Sequence, residues 1–464
     1  MSFEARKRAE LAHKLGSIDA EFARWREVSA PAKPLEKHHT QVLRVTAALR
    51  AFADGVAADL GKDGDPASFA RMPELEVEIQ EVHRLWDYFR VKLAQRQVEW
   101  LRSHLAAADD LASGCYAAAQ ATLTEQRAAE LKEPPLVCFT GSSSPLASAR
   151  GELFEGEMVV GEPLVRGGSP LVRRLPIPVI EIPWYQLGHL PDAPAICHEV
   201  GHTVEDDLQL GDRLLTLLEA ALDGRPGGAE RQPVWEAWLG EVFADLYGCL
   251  GAGPAFVSML MDLLAPEVLA GAEPVLDDCY PPAGLRIAIN LCALTRLGHT
   301  APVEELRARW SADLDGRGDG ADEAGFAGDV PAVVDRLLYG PYPELGCTAL
   351  LDVLRFTEAD HRQSVAAAER LLGGATPITK DVRHLHAAAR LAFDSSPSRY
   401  DAAGVGKGVL DRLDAVRQSG PRGRAERSLD VDALGERDAA LGAELRRLVR
   451  DARGVGAPVR ARRG

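Results

Sequence analysis

The residues best equipped to do chemistry are Cys197-His198-Glu199-Val200-Gly201-His202-Thr203. In a helix, His198 and His202 stand four residues apart on one face, so both imidazoles reach a single ion. Glu199 lies beside them, where a carboxylate takes a proton from a water bound to that ion. In a chain with 12 histidines, an HExxH string arises by chance only about 0.02–0.03 times. A catalytic zinc site wants a third protein ligand and an open fourth position. Glu205 is the nearest acid, but roughly 10 Å of helical rise separates it from His198, too far for one straight helix to bring 198, 202 and 205 to one ion. The run Trp238-Leu239-Gly240-Glu241-Val242-Phe243-Ala244-Asp245 offers a better answer. Glu241 and Asp245 share a helix face at i, i+4. A second helix packed on the first presents Glu241 to the metal, while Asp245 accepts the outer N–H of a ligand histidine. Glu236 lies well round that helix and is the lesser candidate.

These residues need rigid elements to hold them. Asp192 is placed to cap the HExxH helix, with Pro194 in its first turn, and Ile196, Val200 and Val204 supply apolar contacts. From Glu4 to about Lys132 the pattern is helical. Leu75, Ile79, Val82, Trp86, Phe89 and Leu93 fall on one amphipathic stripe, and breaks fall at Pro31–Pro34 and Gly61–Pro66. Three β-type runs follow, at 136–140, 153–160 and 175–183. Pro176, Pro178 and Pro183 remove ladder donors from the third, which puts it at a sheet edge in expectation. Helical patterning resumes near Asp192 and continues to about Gly420. The uncharged stretch Leu246–Met261 is interrupted by glycines and a proline, is short for a membrane span, and reads as buried core.

The chain has 464 residues, 46% of them hydrophobic and 26% charged, as in ordinary globular proteins. With 53 Lys+Arg against 69 Asp+Glu, the net charge of −16 argues against a nucleic-acid partner, whose phosphates need cations. The amino terminus shows no signal peptide, and 7 cysteines without CxxC spacing suit reduced thiols in the cytoplasm. Other motifs fall away. The Gly/Asp-rich stretch 313–329 has Ala324 where a calcium loop needs Glu. His38-His39 and the pair His384 and His386 lack partners at ligand spacing. Gly141-Ser142-Ser143-Ser144 and Gly404–Gly408 lack the GK[ST] ending of a phosphate loop and read as turns.

HExxH on one helix with ExxxD on the next resembles the gluzincin metallopeptidases. Tyr280-Pro281-Pro282-Ala283-Gly284-Leu285-Arg286-Ile287 further resembles the HPP…RI segment of the HtpX and CAAX-prenyl-protease family. In that family the leading His assists the substrate oxyanion and the Arg supports the site. Here Tyr280 replaces the His, and a phenol can donate the same hydrogen bond. Tyr280 and Arg286 equally suit plain packing and salt-bridge roles. The resemblance spans about residues 175–296 and excludes that family's transmembrane helices.

The reading that follows is a mainly α chain with a small β-sheet, an α+β fold with a zincin-like core. Its regions are an N-terminal helical one (1–132), the metallopeptidase core (133–300), a C-terminal helical one (301–420) and a basic, flexible tail (421–464). The expected activity is hydrolysis of a peptide or protein substrate. One Zn2+ is held by His198, His202 and Glu241 with Asp245 behind them, and Glu199, Tyr280 and Arg286 serve catalysis. The strand near Val179–Ile182 would hold an extended peptide by strand addition. The competing reading is a helical interaction module that keeps an inactive zincin fold to bind a protein partner.

Overall fold

A computed structural model describes residues 2–61, 70–123, 132–142, 144–150, 176–270, 279–314, 323–422 and 431–454. The described residues are mostly helical and include two small sheets, as the patterning implies. Four long helices open it: α1 (Phe3–Ser29), α2 (His39–Leu60), α3 (Met72–Ala94) and α4 (Glu99–Gln120). All six stripe residues of α3 are buried, and Trp86 meets the edges of Phe22 and Trp25 from α1.

The strands β1 (Leu136–Thr140), β2 (Leu146–Ser148) and β3 (Val179–Pro183) form a sheet in the order β1-β3-β2. β3 is therefore central, not at an edge. It runs parallel to β1, with Cys138 opposite Glu181, and antiparallel to β2, with Ala147 opposite Ile180. The prolines explain the difference. Pro176 and Pro178 precede the strand and Pro183 ends it, so Ile180, Glu181 and Ile182 keep their ladder donors. Both faces of the sheet are covered: Leu136, Cys138 and Val179 pack on the N-terminal helices, whereas Val137, Ile180 and Ile182 face the larger core. That double burial gives nearly continuous apolar runs in place of alternation. The outer edge of β1 is closed by side chains. Gln95 accepts from Phe139 N–H at 2.8 Å and donates to its carbonyl at 3.0 Å, and Asp109 accepts from Val137 N–H at 3.3 Å. β2 lies at the other edge. The β-type run expected at 153–160 lies outside the described residues.

The larger core is built on α5 (Ala195–Leu208), α6 (Gly211–Leu222), α7 (Gly228–Ala252), α8 (Pro254–Leu269), α9 (Ala283–Arg296), α10 (Thr300–Asp313) and α11 (Val330–Tyr339). Met261 and its neighbours are buried there, and no described helix is long and apolar enough to cross a membrane. A third cluster joins α12 (Glu358–Leu372), α13 (Val382–Ser395) and α14 (Val405–Val416). The stretch expected to be a flexible basic tail instead carries a helix, α15 (Val431–Gly454), which places Leu445 and Val449 in the N-terminal core, and its Arg446 and Arg450 pair with Asp59 and Glu78.

Candidate metal centre

α5 starts without the Asp192 cap expected from the sequence. A 3₁₀ turn at Leu190–Asp192 runs directly into it, and backbone carbonyls satisfy the first N–H groups. Ile196 N–H donates to Ala193 at 3.0 Å and Cys197 N–H to Pro194 at 3.0 Å, so Pro194 occupies the capping position. Ile196, Val200 and Val204 are buried, which turns the opposite face of α5 toward a cleft. At the far end Gln209 adopts a left-handed conformation (φ 56°), and Leu210 N–H closes on the Glu205 carbonyl at 2.9 Å.

α7 crosses α5 at Gly201. A β-carbon there would stand 2.8 Å from the Ala244 Cα and 2.9 Å from the Tyr247 Cβ, so only glycine permits this approach. The crossing delivers Glu241 to the histidines. His198 Nε2 and His202 Nε2 lie 3.2 Å apart. Glu241 Oε2 is 3.4 Å from the first, and its Oε1 is 3.4 Å from the second. Donor atoms of the three residues converge within 4.8 Å, a set that could hold a metal ion.

The surrounding charges keep these donors in place. Asp245 Oδ1 lies 2.9 Å from His198 Nδ1, close enough to pair with that nitrogen and leave Nε2 turned toward Glu241. Arg286 from α9 grips Asp245 in a fork, Nε to Oδ2 at 2.9 Å and Nη2 to Oδ1 at 2.7 Å, and also reaches Glu241 Oε2 at 3.5 Å. Asn290, one turn along α9, donates to Asp245 Oδ2 at 3.1 Å. Glu241 Oε2 is buried, accepts no hydrogen bond and lies 3.4 Å from His198 Nε2.

The titration of these groups follows from that geometry. Burial acts against charge on His198, yet Asp245 and Glu241 overcome it and push its pKa up to about 9. For Glu241, burial opposes ionisation but the two histidines and Arg286 hold the carboxyl well below the usual carboxylate range. Glu199 is buried at the cleft wall. Burial raises its pKa, and the neighbouring histidines only partly offset the rise.

The cleft has a volume of about 890 Å³, with His198, Glu199, His202 and Glu241 along it. Tyr280 stands half exposed at its rim, 5.8 Å from its ring centroid to the Arg286 guanidinium carbon. Arg286 is buried beneath. The lesser candidates lie elsewhere. Glu236 is exposed and bonded to Gln232, and Glu205 packs against Gly240, outside the converging set. His38, His384 and His386 are buried histidines with hydrogen-bond partners, bonded to Gln41, Asp360 and the Ala107 carbonyl. Three residues of the site escaped the motif reading: Gly201, Asn290 and Phe256, whose ring stacks on His198 at 6.2 Å. Asn290 was legible as the i+4 neighbour of Arg286. Gly201 and Phe256 depend on helix crossings that no local pattern reveals.

Comparison with protein-family models, curated proteins and solved structures returns no match for this chain.

Proposed function

We propose that the chain is a zinc-dependent peptidase of the gluzincin type, with a core organised like that of the HtpX and CAAX-prenyl-protease family. One observation carries this reading above the others: the spacing of the three donors. Tetrahedral zinc with ligands at about 2.0–2.1 Å needs them about 3.3 Å apart. Here His198 Nε2 and His202 Nε2 lie 3.2 Å apart, and Glu241 brings Oε2 within 3.4 Å of the first and Oε1 within 3.4 Å of the second, with one donor atom from each residue inside 4.8 Å. His198, His202 and Glu241 would hold the ion, and two imidazoles with a carboxylate suit zinc chemically.

Bound zinc supplies a Lewis acid and an activated water. The protein's own residues do the rest. Glu199 accepts the water's proton at its carboxylate and returns it to the leaving amine, a role suited by its raised pKa. Asp245 holds His198, and Arg286 and Asn290 fix Asp245. Tyr280 donates its phenolic proton toward the scissile carbonyl oxygen. The peptide pairs with the sheet edge at β2, since β3 is internal and β1 is sealed by Gln95 and Asp109.

The deciding experiment measures zinc in the purified protein alongside cleavage of an unstructured protein substrate. About one zinc per chain, with turnover abolished in Glu199→Gln, supports the peptidase. Stoichiometric zinc without any turnover supports an interaction module, and absence of zinc removes both.

A further inference from the structure

One face of α8 lines the same cleft as β2. Phe256, Met259, Leu260, Leu263, Leu264 and Glu267 all line it, at spacings of three, one, three, one and three. That is a continuous helical stripe, apolar for more than two turns and acidic at its end. Its near end is fixed at the metal centre, because Phe256 stacks on His198. Large apolar side chains exposed on a soluble protein are informative when they gather. Here Leu263 is 44% exposed and Leu146, on β2, is 53% exposed, and both line the same cleft beside the buried Phe256, Met259, Leu260 and Leu264.

The geometry points to a substrate class: extended polypeptide bearing apolar side chains at the first and third positions on one side of the scissile bond, followed by a basic residue at the fifth. This specificity rests on the peptidase reading, and it follows from two repeats that coincide. Leu263 is seven residues along α8 from Phe256, about 10 Å, and Glu267 is eleven, about 16 Å. A chain laid along β2 advances about 3.3 Å per residue, with alternate side chains turned to the same wall. A chain that also runs parallel to α8 brings its first side chain to Phe256, Met259 and Leu260, its third to Leu263 some 10 Å out, and its fifth to Glu267. The occupant is thus neither a compact ligand nor a polar tail. It is a strand with one apolar face, of the kind that folded proteins keep buried.

Binding separates this inference from the peptidase reading. Fluorescent ten-residue peptides with Leu or Ser at the third position are titrated into full-length, zinc-loaded Glu199→Gln, and the same pair is offered to the active protein as substrate. The Leu peptide should bind about 10–100-fold more tightly and show a matching advantage in kcat/KM. Leu263→Glu should erase that preference while leaving zinc content unchanged. Glu267→Lys should exchange a basic preference for an acidic one at the fifth position. Equal binding of the Leu and Ser peptides, or a preference that survives Leu263→Glu, overturns the inference even if both peptides are cleaved. Selective binding without cleavage by the active protein overturns the peptidase, and with it the positions counted from a scissile bond, and leaves only an apolar binding groove.

Discussion

Gly201 and Ala244 meet with no space for a side chain between them: a β-carbon on Gly201 would lie 2.8 Å from the Ala244 Cα, which is backbone and cannot swing aside. This contact sets the distance between the helix carrying both histidines and the helix carrying Glu241. Gly201→Ala should therefore separate the helices and cost about 1–3 kcal/mol, the usual penalty for overpacking. Metal affinity should fall too, although no ligand is changed. Chemical denaturation and zinc titration check this together, and a variant with unaltered zinc affinity would show that the crossing does not position Glu241.

The ligand assignment makes separable demands. His198→Ala, His202→Ala and Glu241→Ala should each release the zinc, whereas Glu236→Ala should retain it, since that side chain is exposed and bonded to Gln232. Asp245→Asn should keep zinc with affinity reduced about 10–100-fold, because it holds His198 without touching the ion. It should also destabilise the fold, since Arg286 is buried and Asp245 is its forked partner. Elemental analysis of the five proteins decides among them.

Acid should loosen the helix that carries Glu241 at its N-terminal half. Buried Asp329 accepts from Arg231 and Trp235 of α7, at 2.6 and 3.2 Å, and from Arg225 at 2.9 Å. Burial works against its charge, but these donors prevail and hold its pKa below the usual value. An unfolded aspartate titrates near about 3.9. Between that value and the lower folded one, the unfolded chain binds more protons, so this stabilisation is complete above the unfolded pKa and is lost as pH falls through the folded one. Urea unfolding from pH 5 downward should show wild type losing more stability than Asp329→Asn. Parallel losses would mean that Asp329 does not carry the effect.

The parts of the site legible in the sequence share one physical property: their relation is local. His198 and His202 are set by the helical repeat, as is the Glu241–Asp245 pair, and the apolar stripe of α3 follows the same rule. What escaped was settled between elements. Whether β3 is an edge depends on which strands flank it, and its prolines sit at its ends, where they remove nothing from the ladder. Asp192 has the chemistry of a cap, but the 3₁₀ turn after His189 offers backbone carbonyls first. The stacking of Phe256 on His198 joins helices that are far apart in the chain. Arg286 was readable as a buried cation needing an acid, and its partner proved to be Asp245.

Tyr280 is the sharpest test of the proposed chemistry. Its ring stands at the cleft rim beside the Arg286 guanidinium, half exposed, and its phenol pKa is raised first by the charge of Glu241 and then by burial. A phenol kept protonated in this way remains a donor at neutral pH. If it donates to the developing oxyanion, that bond is stronger in the transition state than with bound substrate. Tyr280→Phe should then lower kcat by about 10²–10³-fold with little change in KM. Zinc content should not move, because the phenol is not among the converging donors. If Tyr280 only covers Pro281 and the arginine below, loss of the hydroxyl costs little, since half of the side chain already faces water. A kcat within about threefold of wild type, well under 1 kcal/mol, would leave the oxyanion without this donor.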